Sequence, residues 1–149
     1  MLHKTDGYLL DRLQNVQFAA ARLVAGIKKR DGIDDMAVLE QMHWLPIRQR
    51  IVYKIALLVY KYVNGMGPSY LCDLITPYEP TRNLRSSNAL LLKYPDHRSE
   101  IGRRAFSYTA PEVWEDIPHH VKKAPSLDTF KHNLKSYLFT IAYKTPIRK

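Results

Sequence analysis

The residues best suited to catalysis or metal binding in this sequence are six histidines and one cysteine. The histidine spacing does not match a zinc motif such as His-Glu-x-x-His. The adjacent His119 and His120 would point in different directions in any regular element, so we expect a polar surface there rather than a metal pair. The six histidines are His3, His43, His97, His119, His120 and His132.

The other residues that could take part in chemistry lie in sequence contexts that favour structural roles. Cys72 follows Leu71 on a predicted short helix, where a buried thiol fits better than a nucleophile. The adjacent acids Asp34-Asp35 and Glu115-Asp116 suit helix ends and turns. The six glycines are scattered singly, so they form no phosphate-binding loop. We therefore predict no catalytic residue, no metal ligand and no cofactor, and we do not expect this chain by itself to be an enzyme.

The charge balance favours an anionic partner. The chain has 23 Lys and Arg against 14 Asp and Glu, a formal net charge of +9. Nucleic acid is the usual partner of such a basic domain, and most of the excess positive charge falls in residues 76–149. We predict that cations of this half contact RNA or DNA. The predicted nucleic-acid-binding residues are Arg82, Arg85, Arg98, Arg103, Arg104, Lys122 and Lys123.

Aromatic residues are interleaved with these cations. Phosphate-binding cations combined with rings that stack on bases suit single-stranded or structured nucleic acid. The alternative is that the cations form a solvated face while the rings belong to the core. The aromatic residues concerned are Tyr78, Tyr94, Phe106, Tyr108 and Trp114.

The elements that would position these residues are mainly helices. A chain of 149 residues has the length of one domain, and apolar residues recur every three or four positions over much of it. We predict a mainly α fold, a helical bundle in a single domain over residues 1–149. Residues 1–75 form its helical packing half in this interpretation. The predicted helices cover residues 8–27, 34–42, 47–64, 69–75 and 126–143.

Residues 76–125 differ in character because seven of the nine prolines fall between Pro68 and Pro125. We predict an irregular, basic, Pro-rich segment before the C-terminal helix. A short β-hairpin is one candidate structure within it, formed by residues 89–94 and 102–108. A single helical turn is the candidate for residues 110–115.

The first helix has an apolar face, and we expect this helix to pack against the third. The apolar residues are spaced three or four positions apart, as one side of a helix requires. They are Leu9, Leu10, Leu13, Val16, Ala20, Leu23, Val24 and Ile27.

The sequence has no uninterrupted apolar run near the roughly 18 to 20 residues that span a bilayer. Asp6, Asp11 and Arg12 lie where a signal peptide would need an apolar stretch. We therefore expect an intracellular, soluble protein with no membrane partner and no small-molecule substrate.

Seven short blocks follow one another in a recognisable order. They are residues 13–26 (LQNVQFAAARLVAG), 43–51 (HWLPIRQRI), 67–71 (GPSYL), 84–87 (LRSS), 102–107 (GRRAFS), 110–114 (APEVW) and 126–135 (SLDTFKHNLK). This series resembles the region downstream of the polymerase active site in LINE-type, non-LTR retrotransposon reverse transcriptases of the jockey-like group. The resemblance covers about residues 9–140, and the order is more specific than any one block.

The resemblance implies a part of a larger enzyme that lacks its catalytic groups. Such polymerases use paired aspartates in an Ala-Asp-Asp hairpin to bind two metal ions, and these 149 residues contain no such hairpin. The endonuclease region is absent as well. The family often has Trp-Asn before Leu-Pro, whereas this chain reads WEDIP at residues 114–118.

By resemblance, therefore, the chain is a non-catalytic C-terminal domain or remnant of an RNA-directed DNA polymerase. It would contact template RNA or primer DNA beside the palm and thumb of the reverse transcriptase, and the family's life cycle implies a nuclear location. The alternative function is an interaction or structural module that docks on the rest of a polymerase and has no activity of its own. A contiguous solvent-facing patch including Leu9, Leu10, Val16 or Tyr60 would favour that alternative.

Overall fold

A computed structural model describes residues 7–78, 91–96, 99 and 102–144. These residues are mainly helical, which confirms the predicted helical bundle. Two 3₁₀ turns, Lys29–Asp31 and Gly102–Arg104, lie between helices. The helices are α1 (Gly7–Ala25), α2 (Asp35–Gln41), α3 (Ile47–Val63), α4 (Tyr70–Leu74), α5 (Phe106–Asp116), α6 (His119–Lys122) and α7 (Leu127–Lys144).

The ends of α1 and α2 follow from local chemistry. Gly26 has φ of 69°, and this left-handed residue lets the Ile27 N–H turn back to the Arg22 carbonyl at 2.9 Å. The Asp34 carboxylate caps α2 by accepting from the Ala37 N–H at 3.3 Å. An ion pair between Arg22 and Asp35 then joins the two helices.

The inward face of α1 docks on the start of α3 through amide groups. The Gln14 side-chain oxygen accepts from the Ile47 N–H at 2.9 Å, and this N–H begins α3. The Gln17 amide donates to the Leu45 carbonyl at 2.9 Å and accepts from the Gln14 amide at 3.0 Å. Because Gln17 is only 6% exposed, these hydrogen bonds fix which side of α1 faces the domain.

That docking corrects the prediction for the apolar face of α1. Leu10 is buried, and Ala21 is buried beside Gln17, but most of the predicted face points to solvent. Val16 is 68% exposed and Leu23 is 83% exposed. The described fold therefore leaves an apolar stripe of α1 uncovered.

The main core lies between α3, α5 and α7. The Tyr60 and Phe130 rings stack with centroids 4.0 Å apart, and the Trp114 ring lies 6.1 Å from Phe130. The Tyr60 hydroxyl donates to the buried carbonyl of Ala124 at 2.8 Å. A smaller cluster under α1 and α2 is centred on Leu39. Every helix in the described part of the chain falls short of the length and apolarity that crossing a membrane requires.

The predicted β-hairpin of residues 89–94 and 102–108 is wrong. Residues 102–104 form a 3₁₀ turn and Phe106 begins α5. Leu92 instead makes an isolated antiparallel bridge with Pro77. Residues 89 and 90 lie outside the described part of the chain.

The helix α5 is longer than the single turn predicted for residues 110–115. Pro111 within it cannot donate a backbone hydrogen bond and would ordinarily disfavour a helix there. The helix nevertheless buries Val113 and Trp114 in the main core. Burial of these apolar side chains outweighs the local cost of the proline.

Candidate nucleic-acid interface

Two packed helices each present a pair of cations. Arg50 and Lys54 lie four residues apart on α3, and Lys131 and Lys135 lie four residues apart on α7. Residues at this spacing are neighbours on one side of a helix. Because α3 and α7 pack together, cations from distant parts of the sequence meet on one surface.

A groove of about 530 Å³ runs along this surface. Three of its lining side chains are cationic and none is a carboxylate, so its electrostatic field attracts anions. Three more are aromatic or imidazole rings. The lining residues are His43, Trp44, Leu45, Arg50, Tyr53, Lys54 and Lys135.

The loop before α3 forms one wall of the groove and is tied to α7. His43 has a left-handed backbone with φ of 54°, which is uncommon for a residue other than glycine. Its ring stacks on Phe139 with centroids 5.5 Å apart. The Tyr143 hydroxyl donates to the Trp44 carbonyl at 2.5 Å. These contacts hold the ring-bearing wall in place.

Tyr53 supplies a neutral polar group beside the cations. Burial raises the pKa of the Tyr53 phenol, and the positive charge of Lys131 opposes that rise. The phenol therefore keeps its proton at neutral pH and can donate a hydrogen bond to an anion. The Lys131 ammonium donates to the Asp128 carboxylate at 2.9 Å, so part of its charge is already balanced.

The structure places only some of the predicted nucleic-acid-binding residues. Arg82, Arg85 and Arg98 lie outside the described residues. Arg103 and Arg104 lie together on the 3₁₀ turn Gly102–Arg104, with Arg103 exposed and Arg104 half-buried.

The other two predicted residues lie next to each other but in different environments. Lys123 follows α6 and is exposed. Lys122 is only 9% exposed, and its ammonium donates to the Glu115 carbonyl at 3.2 Å and lies 5.6 Å from the centre of the Trp114 ring. Burial lowers the pKa of Lys122. Its ammonium is therefore committed to contacts within the fold, and Lys122 is not among the residues that line the groove.

The aromatic residues that were predicted to stack on bases are also partly used by the fold. Trp114 belongs to the main core, as the alternative interpretation held. The Tyr94 hydroxyl donates to the Glu115 carboxylate at 2.8 Å, and its ring meets the edge of Tyr108 at 5.6 Å. Tyr78 is exposed.

The groove was not predicted from the sequence because Arg50 and Lys54 lie outside residues 76–149, where most of the excess positive charge falls. A local signal was present: Arg50 and Lys54 share one side of α3, with Tyr53 between them in sequence. Lys131 and Lys135 repeat that spacing on α7. Only the packing of the two helices shows that these pairs belong together.

Comparison of this chain with protein families, curated proteins and solved structures gives no match. Among the described residues, no group of three or more His, Cys, Asp and Glu side chains is placed to hold a metal ion.

Because Tyr143 contacts the loop before α3, we predict a loss of stability at alkaline pH. Burial raises the pKa of Tyr143 from 10.0 to about 12, and Glu40 adds to that rise. Between these values the unfolded chain has released the phenolic proton and the folded chain still holds it. The free energy of unfolding should therefore fall as pH rises through this window.

Urea denaturation at a series of pH values above neutrality measures this effect. Tyr143→Phe should flatten the alkaline decline relative to the parent chain. Lys122, whose lowered pKa acts with the opposite sign, is the same in both proteins and cancels in the difference. Equal slopes for the two proteins would show that Tyr143 is not a source of the decline.

Proposed function

We propose that this chain is a non-catalytic C-terminal domain of a retrotransposon RNA-directed DNA polymerase that holds template RNA or primer DNA in the groove between α3 and α7. The observation that carries the proposal is the groove itself, whose lining includes Arg50, Lys54 and Lys135 and no carboxylate. The ordered sequence blocks that resemble LINE-type reverse transcriptases support the same assignment.

The groove can position a nucleic acid without doing chemistry on it. Lysine and arginine side chains release counterions when they neutralise phosphates, and that release drives association. The Arg50 guanidinium can in addition donate two parallel hydrogen bonds to one phosphate. The Tyr53 phenol adds a neutral donor. These contacts fix the position of a strand and carry no base sequence information.

A second candidate function is the interaction module that docks on the rest of a polymerase. The exposed stripe of α1 favours it, since Leu9 and Val16 face solvent. Leu10 and Tyr60 are buried, so the patch is confined to one side of α1. The groove and the stripe occupy different helices, and the two candidates can be tested separately.

The proposal predicts salt-dependent binding of single strands. Labelled RNA and DNA oligonucleotides should bind the chain in fluorescence anisotropy, with affinity falling steeply as salt is raised. With three lining cations engaged, the slope of log affinity against log salt should be about −2 to −3. Affinity unchanged between low and physiological salt would contradict the proposal.

A pair of single variants locates the contact. Lys54→Ala removes one lining cation and should reduce the size of that slope by about 0.7 to 0.9. Lys29→Ala removes an equal charge from the exposed 3₁₀ turn Lys29–Asp31 and should leave the slope unchanged. Equal effects of both variants would show that binding is diffuse and does not use the groove.

A further inference from the structure

The exposed apolar stripe of α1 has the spacing of a coiled-coil seam. Its residues are separated alternately by four and three positions, which is the pattern of a and d positions in heptads. Each of them is exposed. The stripe consists of Leu9, Leu13, Val16, Ala20 and Leu23.

The stripe is free of its own domain in the described structure. The contacts of α1 with its own domain are made on an adjacent side of the helix, by Leu10, Gln17 and Ala21, which are buried. Two charged residues of the helix lie off the stripe. Arg22 pairs with Asp35 on the inner side. Because successive residues are 100° apart around a helix, Asp11 projects well away from the seam. An apolar surface of this kind marks an association site.

We propose that a second copy of this chain covers the stripe, with the two α1 helices antiparallel. Leu13, Val16, Ala20 and Leu23 are symmetric in spacing about position 18, so an antiparallel pair with its twofold axis there aligns these four residues, while Leu9 lies level with position 27, beyond α1. Leu13 of one copy then faces Leu23 of the other, and Val16 faces Ala20. Each layer joins an a position to a d position, as antiparallel coiled coils require. The smaller Ala20 leaves room for Val16 of the second copy.

Repulsion between positive charges favours the antiparallel over the parallel arrangement of the two helices. The exposed cluster Lys28-Lys29-Arg30 follows the C-terminal end of α1. A parallel pair would bring two such clusters together, and like charges repel. An antiparallel pair separates them by roughly the length of a 19-residue helix, about 28 Å at 1.5 Å per residue. That distance exceeds the Debye length of about 8 Å at physiological ionic strength.

One charged residue of α1 flanks the seam. Arg12 is the charged residue beside the stripe, and its guanidinium already lies 5.8 Å from the centre of the Tyr8 ring. With the twofold axis at position 18, Arg12 lies level with Val24 of the second copy, which is uncharged. Ala19 lies beside the stripe, where its small side chain lets the helices approach closely. One helix face is at the low end of interface sizes, so we expect a weak dimer.

Sedimentation velocity over a range of protein concentrations tests the proposal. The chain should pass from monomer to dimer as its concentration rises. Leu13→Glu and Leu23→Glu should each raise the dissociation constant at least about tenfold, because each buries an unpaired charge in the seam. Asn15→Glu, on an exposed position of α1 off the stripe, is the matched control and should dimerise like the parent.

Two outcomes of the sedimentation experiment would overturn the proposal. A chain that stays monomeric at every concentration, with circular dichroism showing that it is folded, would leave docking on a polymerase as the explanation of the stripe. An Asn15→Glu variant that loses the dimer as fully as Leu13→Glu would show that the seam is not the contact.

Cysteine cross-linking tests the direction of the helices. In a Cys72→Ser background, chains carrying Leu13→Cys are mixed with chains carrying Leu23→Cys under mild oxidation. The antiparallel arrangement predicts disulfide-linked mixed dimers. Dimers of the Leu13→Cys chain with itself would show a parallel pair and overturn the proposal. Leu13→Glu should bind oligonucleotides as the parent chain does. Failure of the dimer proposal can therefore be told apart from failure of the proposed nucleic-acid binding in the groove.

Discussion

Replacing Arg50, Lys54 and Lys135 together with alanine is expected to weaken single-stranded RNA or DNA binding by about two to three orders of magnitude near 0.1 M salt. Each phosphate contact contributes roughly 0.7 to 0.9 to the slope of log affinity against log salt, so three lost contacts remove about 2 to 3 log units of the affinity gained between 1 M and 0.1 M salt. All three residues line one groove and are exposed at the surface, so their removal should leave the core intact. Fluorescence anisotropy across a salt series measures both the affinity and the slope.

The control for this variant removes the same charge elsewhere. Lys28, Lys29 and Arg30 are exposed after the C-terminal end of α1 and are not among the residues that line the groove. Alanine at these three positions should change oligonucleotide affinity much less than the groove variant does. If the two triple variants lose affinity equally, net charge rather than the groove explains the binding.

Trp114→Ala is expected to lower the free energy of unfolding by about 3 to 5 kcal/mol, the range for truncation of a large buried aromatic residue. Trp114 is 1% exposed and lies in the core between α3, α5 and α7. Its removal leaves a cavity beside Phe130 and takes away the ring above which the Lys122 ammonium lies. Domains of this size have total stabilities of about 5 to 15 kcal/mol, so much of the stability should be lost.

Urea denaturation followed by circular dichroism tests this, since loss of a tryptophan would disturb a fluorescence signal. Tyr78→Ala is the matched control: it also truncates an aromatic residue of the Pro-rich region, but at an exposed position. We expect it to change stability by less than about 0.5 kcal/mol. A Trp114→Ala variant as stable as Tyr78→Ala would contradict the core described here.

Helices with a strong local pattern could be predicted from the sequence. Serine is a favoured N-cap residue, and at the start of α7 the Ser126 hydroxyl accepts from the Thr129 N–H at 3.2 Å. Glycine favours a left-handed helix end, and after α3 Gly65 has φ of 67°. Capping and glycine geometry depend on neighbouring residues, so a single sequence is enough to place them.

Elements whose stability comes from distant residues could not be predicted in the same way. The helix α5 contains Pro111 and gives little local sign of its length, and its stability comes from burial of Trp114 against α3 and α7. The prediction of a hairpin near residues 102–108 failed for this reason. Local propensity is a weak guide where a long-range core supplies the free energy.

The sequence by itself determined the helical class, the positive charge and the apolar spacing of α1. Tertiary structure decided which surfaces these features form. The Gln14 and Gln17 hydrogen bonds to the start of α3 turn the apolar stripe of α1 outward. The packing of α3 on α7 places Lys54 and Lys135 beside one groove. Electrostatic and hydrophobic interactions require groups to be close in space, and only the fold brings together residues that are far apart in the chain.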